Sequence, residues 1–344
     1  MLKELCLTPV SSGNCFPLID KIKAYLVKND KEKSLTYCFD KVGNFIVEKN
    51  SHLSNCATIV ATLDEAGLLI NSVFEDGRLG FDPVEIVPAN IVGKQFIVGK
   101  QMLPAIVGFT PIHLQHRKNI SCNTIKGDDL RITIGAKNKE EALAQVSLGD
   151  FALFPPYYKK VGTTIFASRL DNRGCVWVAI ELLLSGITKI GLKVIFTQVS
   201  KAYPWGVSGM SFTIPSKINI VLQTVASDDY PLDCYEEDRK RKTERPTESV
   251  LGKGPVLFAM DKGHISDLSL FVALSRFAKD NAIPLQVKQS TLSSGEAALY
   301  ARQGAGLPTI TVGIPCRYQN CPISMMRTSD ISNTALLLKG YLSK

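Results

Sequence analysis

The chain has 344 residues, 45% of them hydrophobic and 21% charged, with a formal net charge of +8. This is long and apolar enough for a large core, so a soluble globular protein with one large and one smaller domain is expected. No apolar run reaches the roughly 18 residues of a membrane span, and Met1-Leu2-Lys3-Glu4-Leu5-Cys6 lacks the basic-then-apolar layout of a secretory signal. A cytoplasmic location is therefore expected. The one dense basic run, Arg239-Lys240-Arg241-Lys242, is flanked by Glu236, Glu237, Asp238 and Glu244. Mixed signs predict a solvated loop rather than a nucleic-acid surface.

Ser11-Ser12-Gly13-Asn14 offers capping groups ahead of an amphipathic helix carrying Phe16, Ile19, Ile22, Tyr25 and Leu26, with Pro17 in its first turn. Strands follow at 35–39, 44–48 and 56–61, the last a buried one. From about 70 to 165 the texture changes to short β segments, at 79–81, 96–98, 105–109, 131–134, 151–154 and 164–167, interrupted by one helix near 139–145. This predicts a small β-barrel or sandwich over 71–164, inserted into an α/β domain formed by 1–70 and 165–344. Beyond it, helices at 173–185, 266–279, 295–303 and 329–342 alternate with strands at 193–197, 218–223, 255–260, 284–288 and 308–313. A parallel or mixed sheet flanked by helices is expected, with its chemistry at the carboxyl ends of the strands.

Nine cysteines, an odd number spread through apolar segments, predict reduced and mostly buried thiols, and Cys316 with Cys321 lacks zinc-knuckle spacing. His113-Leu114-Gln115-His116 falls in the β insertion, where an exposed or locally bonded pair is expected, and His264 falls at an expected helix start, where capping or surface packing accounts for it. Ser200 has no histidine beside it in sequence, and Gly206-Val207-Ser208-Gly209-Met210 is not a nucleophile elbow. Cys175 and Cys316 need a base or cationic setting to react. Ser293-Ser294-Gly295 predicts a helix N-cap or an anion site, and the acidic run from Asp228 to Asp233 a solvated turn.

The strand ends carry polar clusters in a definite order: Thr62-Leu63-Asp64-Glu65-Ala66-Gly67, Leu170-Asp171-Asn172-Arg173-Gly174-Cys175, Phe196-Thr197-Gln198-Val199-Ser200, Ile220-Val221-Leu222-Gln223 and Ile314-Pro315-Cys316-Arg317-Tyr318-Gln319-Asn320. With Leu251-Gly252-Lys253-Gly254-Pro255, this series resembles the glutamyl and deblocking aminopeptidases. These are self-compartmentalising, dinuclear metal exopeptidases, some labelled endoglucanase or cellulase. The resemblance runs from about residue 3 to 342 and implies a zinc-exopeptidase-like (phosphorylase/hydrolase-like) mixed sheet flanked by helices. The inserted small β-barrel falls where the family carries its dimerisation domain.

The resemblance also implies two divalent ions, zinc or cobalt, and assigns their ligands. Asp171 matches the bridging carboxylate, Asn172 a family variant beside it, and Asp64 the residue that orients the first histidine. The first histidine itself falls on Thr62, the general base on Val199, the neighbouring carboxylate ligand on Ser200, the next aspartate on Gln223 and the last histidine on Asn320. Four of five ligands and the base are replaced. Thr, Ser, Gln and Asn are weak neutral donors for zinc or cobalt, and valine cannot deprotonate water.

No cofactor is therefore expected. An Asp171 carboxylate without metals needs a cation, from Arg173, Arg317 or Lys201, or a hydrogen-bond network from Asn172, Gln223 and Asn320. Glu65, Asn172, Arg173 and Arg317 are expected near the cleft. The expected function is that of an aminopeptidase-family protein without metal-dependent peptidase activity, acting in binding or assembly. It would self-associate through the β insertion, as a dimer or a larger assembly, and bind a peptide or amino-acid ligand, but not nucleic acid or membrane. The alternatives are an active metal-dependent hydrolase with an altered site, and a structural subunit that co-assembles with an active paralogue.

Overall fold

The computed structural model describes residues 1–110, 125–201, 216–229, 248–289, 295–302 and 306–344. His113, His116, the 206–210 run, Asp233, the 239–242 basic run, Ser293 and Ser294 lie outside the described residues. A short helix α1 (Leu2–Cys6) precedes α2 (Phe16–Asn29), which has Pro17 in its first turn and buries Leu18, Ile19, Ile22 and Leu26 along one stripe. Next come β1 (Leu35–Phe39), β2 (Phe45–Lys49) and β3 (Cys56–Thr62). The middle five residues of β3 are all buried, which marks a central strand covered on both faces.

Six strands then close into a barrel: β4 (Gly67–Val73), β5 (Leu79–Val84), β6 (Gln95–Val98), β7 (Leu103–Phe109), β8 (Leu130–Thr133) and β9 (Phe151–Leu153). Its core, with Leu68, Phe81, Phe96, Val107, Leu130 and Phe154, is separate from the main one. Helix α3 (Lys139–Leu143), N-capped by Asn138 accepting from the Glu141 N–H, lies against β4. The insertion expected from the sequence is thus a closed barrel. One expected member leaves it: β11 (Thr164–Ala167) pairs instead with β10 (Tyr158–Val161) and, from the far end of the chain, β17 (Ser324–Arg327).

The chain re-enters the large domain through α4 (Leu170–Leu183), β12 (Gly191–Thr197) and β13 (Ile218–Ala226). It continues through β14 (Val256–Phe258), α5 (Leu268–Asp280), β15 (Gln286–Lys288), α6 (Ala297–Ala301), β16 (Thr309–Cys316) and α7 (Thr328–Leu342). Eight strands order as β1-β2-β12-β3-β13-β16-β14-β15. The central four, β12, β3, β13 and β16, are mutually parallel, while β2 and β14 run antiparallel to their inner neighbours. Every residue of α4 except Trp177 and Glu181 is buried, because the helix lies between β3 and β13 on one side and α1, α7 and β17 on the other. Helix α5 begins at Leu268 with Asp267 as N-cap, so His264 sits before the helix in a turn that Asp261 holds. No helix among the described residues is long and apolar enough to cross a membrane.

Candidate functional site

Four parallel strands point their carboxyl ends to one edge of the sheet, β3 and β12 ending level at Thr62 and Thr197 and β13 and β16 running about three residues farther, to Ala226 and Cys316, so their polar residues meet there. Helix α4 brings Asp171 to the same edge in its first turn, entered through Arg169 at a left-handed φ of 64°. Between them opens a cleft of about 660 Å³, lined among others by Thr62, Asp171, Lys201, Gln223, Glu296 and Asn320. The barrel contributes Glu85, just past β5 and also at positive φ, 53°. Tyr318 and Asn320 share that backbone region at 60° and 55°. Glu85, Arg169, Tyr318 and Asn320 are four of the eight non-glycine residues held at left-handed φ among the described residues.

Asp64 is fully buried and holds the neighbouring strand end in place. Its Oδ2 accepts the backbone N–H of Ser200 at 3.0 Å and of Lys201 at 2.8 Å, and the hydroxyl of Ser12 at 2.5 Å. Burial pushes its pKa above the usual carboxylate range against these bonds. The other oxygen, Oδ1, is buried with no hydrogen-bond partner among the described residues. Val199, between Gln198 and Ser200 in the turn that Asp64 fixes, is half-buried and aliphatic.

Lys201 follows directly. Its ammonium reaches Glu85 Oε2 at 2.7 Å, and its pKa is raised because Glu85, Asp171 and Glu296 together outweigh burial. Asp171 Oδ2 accepts the backbone N–H of Asn320 at 2.9 Å, and the Asn320 side chain turns to Glu85 Oε2 at 3.3 Å. Of the three cations expected for Asp171, Lys201 is the one that lines the cleft with it, and its ammonium pairs there with Glu85. Arg317 pairs with Asp229 at 2.9 Å. Arg173 donates to Leu63 O, Leu5 O and Thr8 O and lies 3.4 Å from Glu65. The expected amide network is not drawn around Asp171 either. Asn172 donates its side-chain N–H to Asp64 O, and Gln223 packs so closely on Gly295 that a Cβ there would sit 2.6 Å from Gln223 Oε1.

Thr62 joins a hydroxyl chain. Its Oγ1 donates to Glu296 Oε1 at 3.2 Å and lies 3.3 Å from Oε2, Thr197 Oγ1 donates to it at 3.4 Å, and Thr197 bonds Ser200 Oγ at 2.8 Å. Glu296 is pushed up to about 7 by burial, helped by the charges of Asp64 and Glu85 and opposed by Lys201 and the Thr62 bond. A carboxyl so poised can give or take a proton near neutrality.

Of the four residues expected near the cleft, Asn172 lines it. Glu65 and Arg173 lie behind it in a buried network: Glu65 pairs with Arg169 at 2.5 Å and accepts the Val10 N–H at 2.6 Å. Arg317 holds Asp229, which also accepts the Leu251 N–H. Of the described members of the acidic run, Asp228 is exposed as a solvated turn predicts and Asp229 is half-buried, and both accept backbone N–H groups of the 248–251 loop. Cys175 and Cys316 are buried, and burial raises both thiols far above the reactive range.

These donors do not fit a dinuclear metal centre. Among the described residues no group of three or more His, Cys, Asp or Glu side chains could hold a metal ion. Thr62, Ser200 and Asn320 are engaged with neighbouring side chains, Gln223 is packed against Gly295, and Asp64 Oδ1 lacks an imidazole to hold.

Sequence reasoning did not find Glu85 or Glu296. Neither sits in a recognisable cluster. The adjacency of Glu296 to the glycine turn at 295 is the one signal that could have flagged it, since a carboxylate at a helix start beside an expected pocket invites attention.

Comparison with known proteins agrees with this geometry. The model of the M42 glutamyl aminopeptidase family matches residues 43–337. An aminopeptidase-like protein of Acetivibrio thermocellus is 25% identical over 321 residues, covering 93% of this chain and 92% of that one. A TET aminopeptidase from a marine-sediment Thaumarchaeota archaeon superposes with a TM-score of 0.89 at 20% identity, over 99% of this chain and 95% of that one. The TET1 peptidase of Pyrococcus horikoshii does so with a TM-score of 0.81 at 23% identity, over 99% and 98%. With its strand-end series, inserted barrel and matched length, the chain belongs to the M42 glutamyl aminopeptidase family.

Proposed function

We propose that this chain keeps the family's cleft as a binding site but does not run metal-dependent peptide hydrolysis, and that it self-associates through its barrel. The observation that carries the reading is the donor set at the strand ends. Of the five family ligand positions Asp171 alone bears a carboxylate, and the base position is Val199. Glu85, Asp171 and Glu296 line the cleft with Lys201 and Lys288 as its cations. The carboxyl acceptors in this lining suit a ligand with a free amino group, such as an amino acid or a peptide amino terminus. Self-association is supported by the family relationship and by the relative from Pyrococcus horikoshii, a peptidase described as assembling into a tetrahedron or a large octahedral shell.

Metal analysis of the purified protein, with release assays on aminoacyl substrates plus cobalt or zinc, tests the first part. About two equivalents of metal together with turnover refute it. Amino acids and short peptides should raise the melting temperature, whereas their N-acetylated forms should not. Sedimentation tests the last part: a monomer at micromolar concentration refutes self-association.

A further inference from the structure

Of the carboxyl groups in the cleft, Glu85 is already matched: its Oε2 meets the Lys201 ammonium at 2.7 Å and the Asn320 side-chain amide at 3.3 Å. Glu296 is not. Its two oxygens share one neutral donor, the Thr62 hydroxyl at 3.2 Å and 3.3 Å, and among the described residues no ammonium or guanidinium pairs with it. A carboxylate offers about four acceptor sites, so most of the capacity of Glu296 is left open in the lining of the cleft. The residue is nonetheless fixed. Ahead of it the Gly295 N–H donates to Asp261 Oδ2 at 3.0 Å, and a Cβ on that glycine would sit 2.6 Å from Gln223 Oε1. On its side chain the hydroxyls run in one direction: Thr62 gives its single proton to Glu296 and accepts from Thr197, so Thr197 accepts from Ser200. Glu296 also stands where α6 meets β13, and both elements lend the cleft apolar side chains, Ala298 and Leu299 from one, Leu222 and Val225 from the other.

We propose that Glu296 is the residue that reads the ligand's amino group: an aliphatic primary ammonium docks on its carboxylate, and the carbon skeleton beside the amine lies along Leu222, Val225 and Leu299. The three donors of an ammonium match the acceptor sites that Thr62 leaves open. A ligand without the amine would shield the carboxylate from water and bring it no counter-charge. The fixed turn and the ordered hydroxyls hold the acceptor in place before the ligand arrives, which lowers the ordering cost of binding. Lys201 does not compete for the position, since its ammonium is paired with Glu85. The assignment rests on the reading that the cleft binds a free amino group, and its test separates the two.

Calorimetric titration compares leucinamide with isocaproamide, the same amide without its amine, on wild type, Glu296→Gln, Glu296→Asp and Asp171→Asn. Wild type is expected to favour leucinamide by about tenfold or more, and Glu296→Gln by less than about threefold. Glu296→Asp, which keeps the charge but draws it back by one methylene, is expected to fall between them. Each protein is compared with itself across two ligands, so a variant that merely loses stability weakens both and leaves their ratio unchanged. Should Glu296→Gln fail to fold, Glu296→Asp decides, and a ratio equal to that of wild type overturns the assignment. A preference kept in Glu296→Gln overturns it too, and a preference lost in Asp171→Asn alone passes the role to that carboxylate; the proposed function stands in both cases. No preference in wild type overturns the assignment and the proposed function together.

Discussion

Thr62 Oγ1 lies 3.2 Å and 3.3 Å from the two carboxyl oxygens of Glu296, across a sequence separation of 234. The contact joins the end of a central strand to the residue ahead of α6, a carboxyl whose pKa burial pushes up to about 7. Its ordinary value is 4.5. A folded-state pKa raised above the unfolded one means stability that is fully present below the unfolded value and lost as pH climbs through the folded one.

Wild-type stability should therefore fall between about pH 5 and about pH 8, by up to about 3 kcal/mol at 1.36 kcal/mol per unit. Glu296→Gln, which keeps an acceptor for Thr62 without a charge, should flatten that part of the profile and exceed wild type at the alkaline end. Urea midpoints measured across the range give the answer; parallel profiles for the two proteins would contradict it.

Arg173 is fully buried and ties Leu5 O, Thr8 O and Leu63 O to Glu65. Arg173→Met should cost about 3–5 kcal/mol, because it leaves the Glu65 charge half-compensated by Arg169 alone and strands three carbonyls. Hydrogen exchange should quicken first at the Val10 N–H, whose acceptor is Glu65. Protection at Val10 unchanged from wild type would show that the network does not anchor this segment.

Asp64→Ala removes the acceptor for two backbone N–H groups and the Ser12 hydroxyl. A loss of about 2–4 kcal/mol is expected, less the gain from no longer burying a charge. Since the Lys201 N–H is one of those donors, ligand-induced melting shifts should shrink as well. A variant as stable as wild type would mean the turn is held by other contacts.

Gly254 sits at φ 86°, and a Cβ there would fall 2.2 Å from the Pro284 carbonyl oxygen. Its N–H donates to Asp330 Oδ1 at 2.9 Å, beside Gly252 on Oδ2 at 2.7 Å. Gly254→Ala should cost more than about 2 kcal/mol, whereas Gly186→Ala, with open space around the new methyl, should stay within about 0.5 kcal/mol of wild type. Equal chemical-denaturation midpoints for the two variants would refute the difference.

Much of the fold is legible because the apolar runs are strong. Strand β1 falls on its expected residues and β3 within one residue of them, since each is bounded by turn residues. Three strands escape sequence reading, each for its own reason. In β4 a register shift between Ile70 and Ser72 breaks the alternation. Strand β10 has no buried residue and carries Lys159 and Lys160. Strand β17 is short and pairs with β11, far away in sequence.

The site divides the same way. Thr62, Asp64, Asp171 and Ser200 meet as the strand-end motifs imply, because parallel strands deliver their ends to one edge. Glu85 and Glu296 come from a barrel loop and a short helix, and only tertiary packing puts them there.

Glu85 belongs to the barrel side of the molecule, yet the groups that grip it, Lys201 and Asn320, stand on the sheet side. Those contacts act as a caliper across the mouth of the cleft. A tilt of the barrel by even one ångström at this point would stretch the 2.7 Å ammonium contact beyond hydrogen-bonding range. The aperture and the seating of the barrel are one mechanical variable, and whatever clamps the barrel sets the gap.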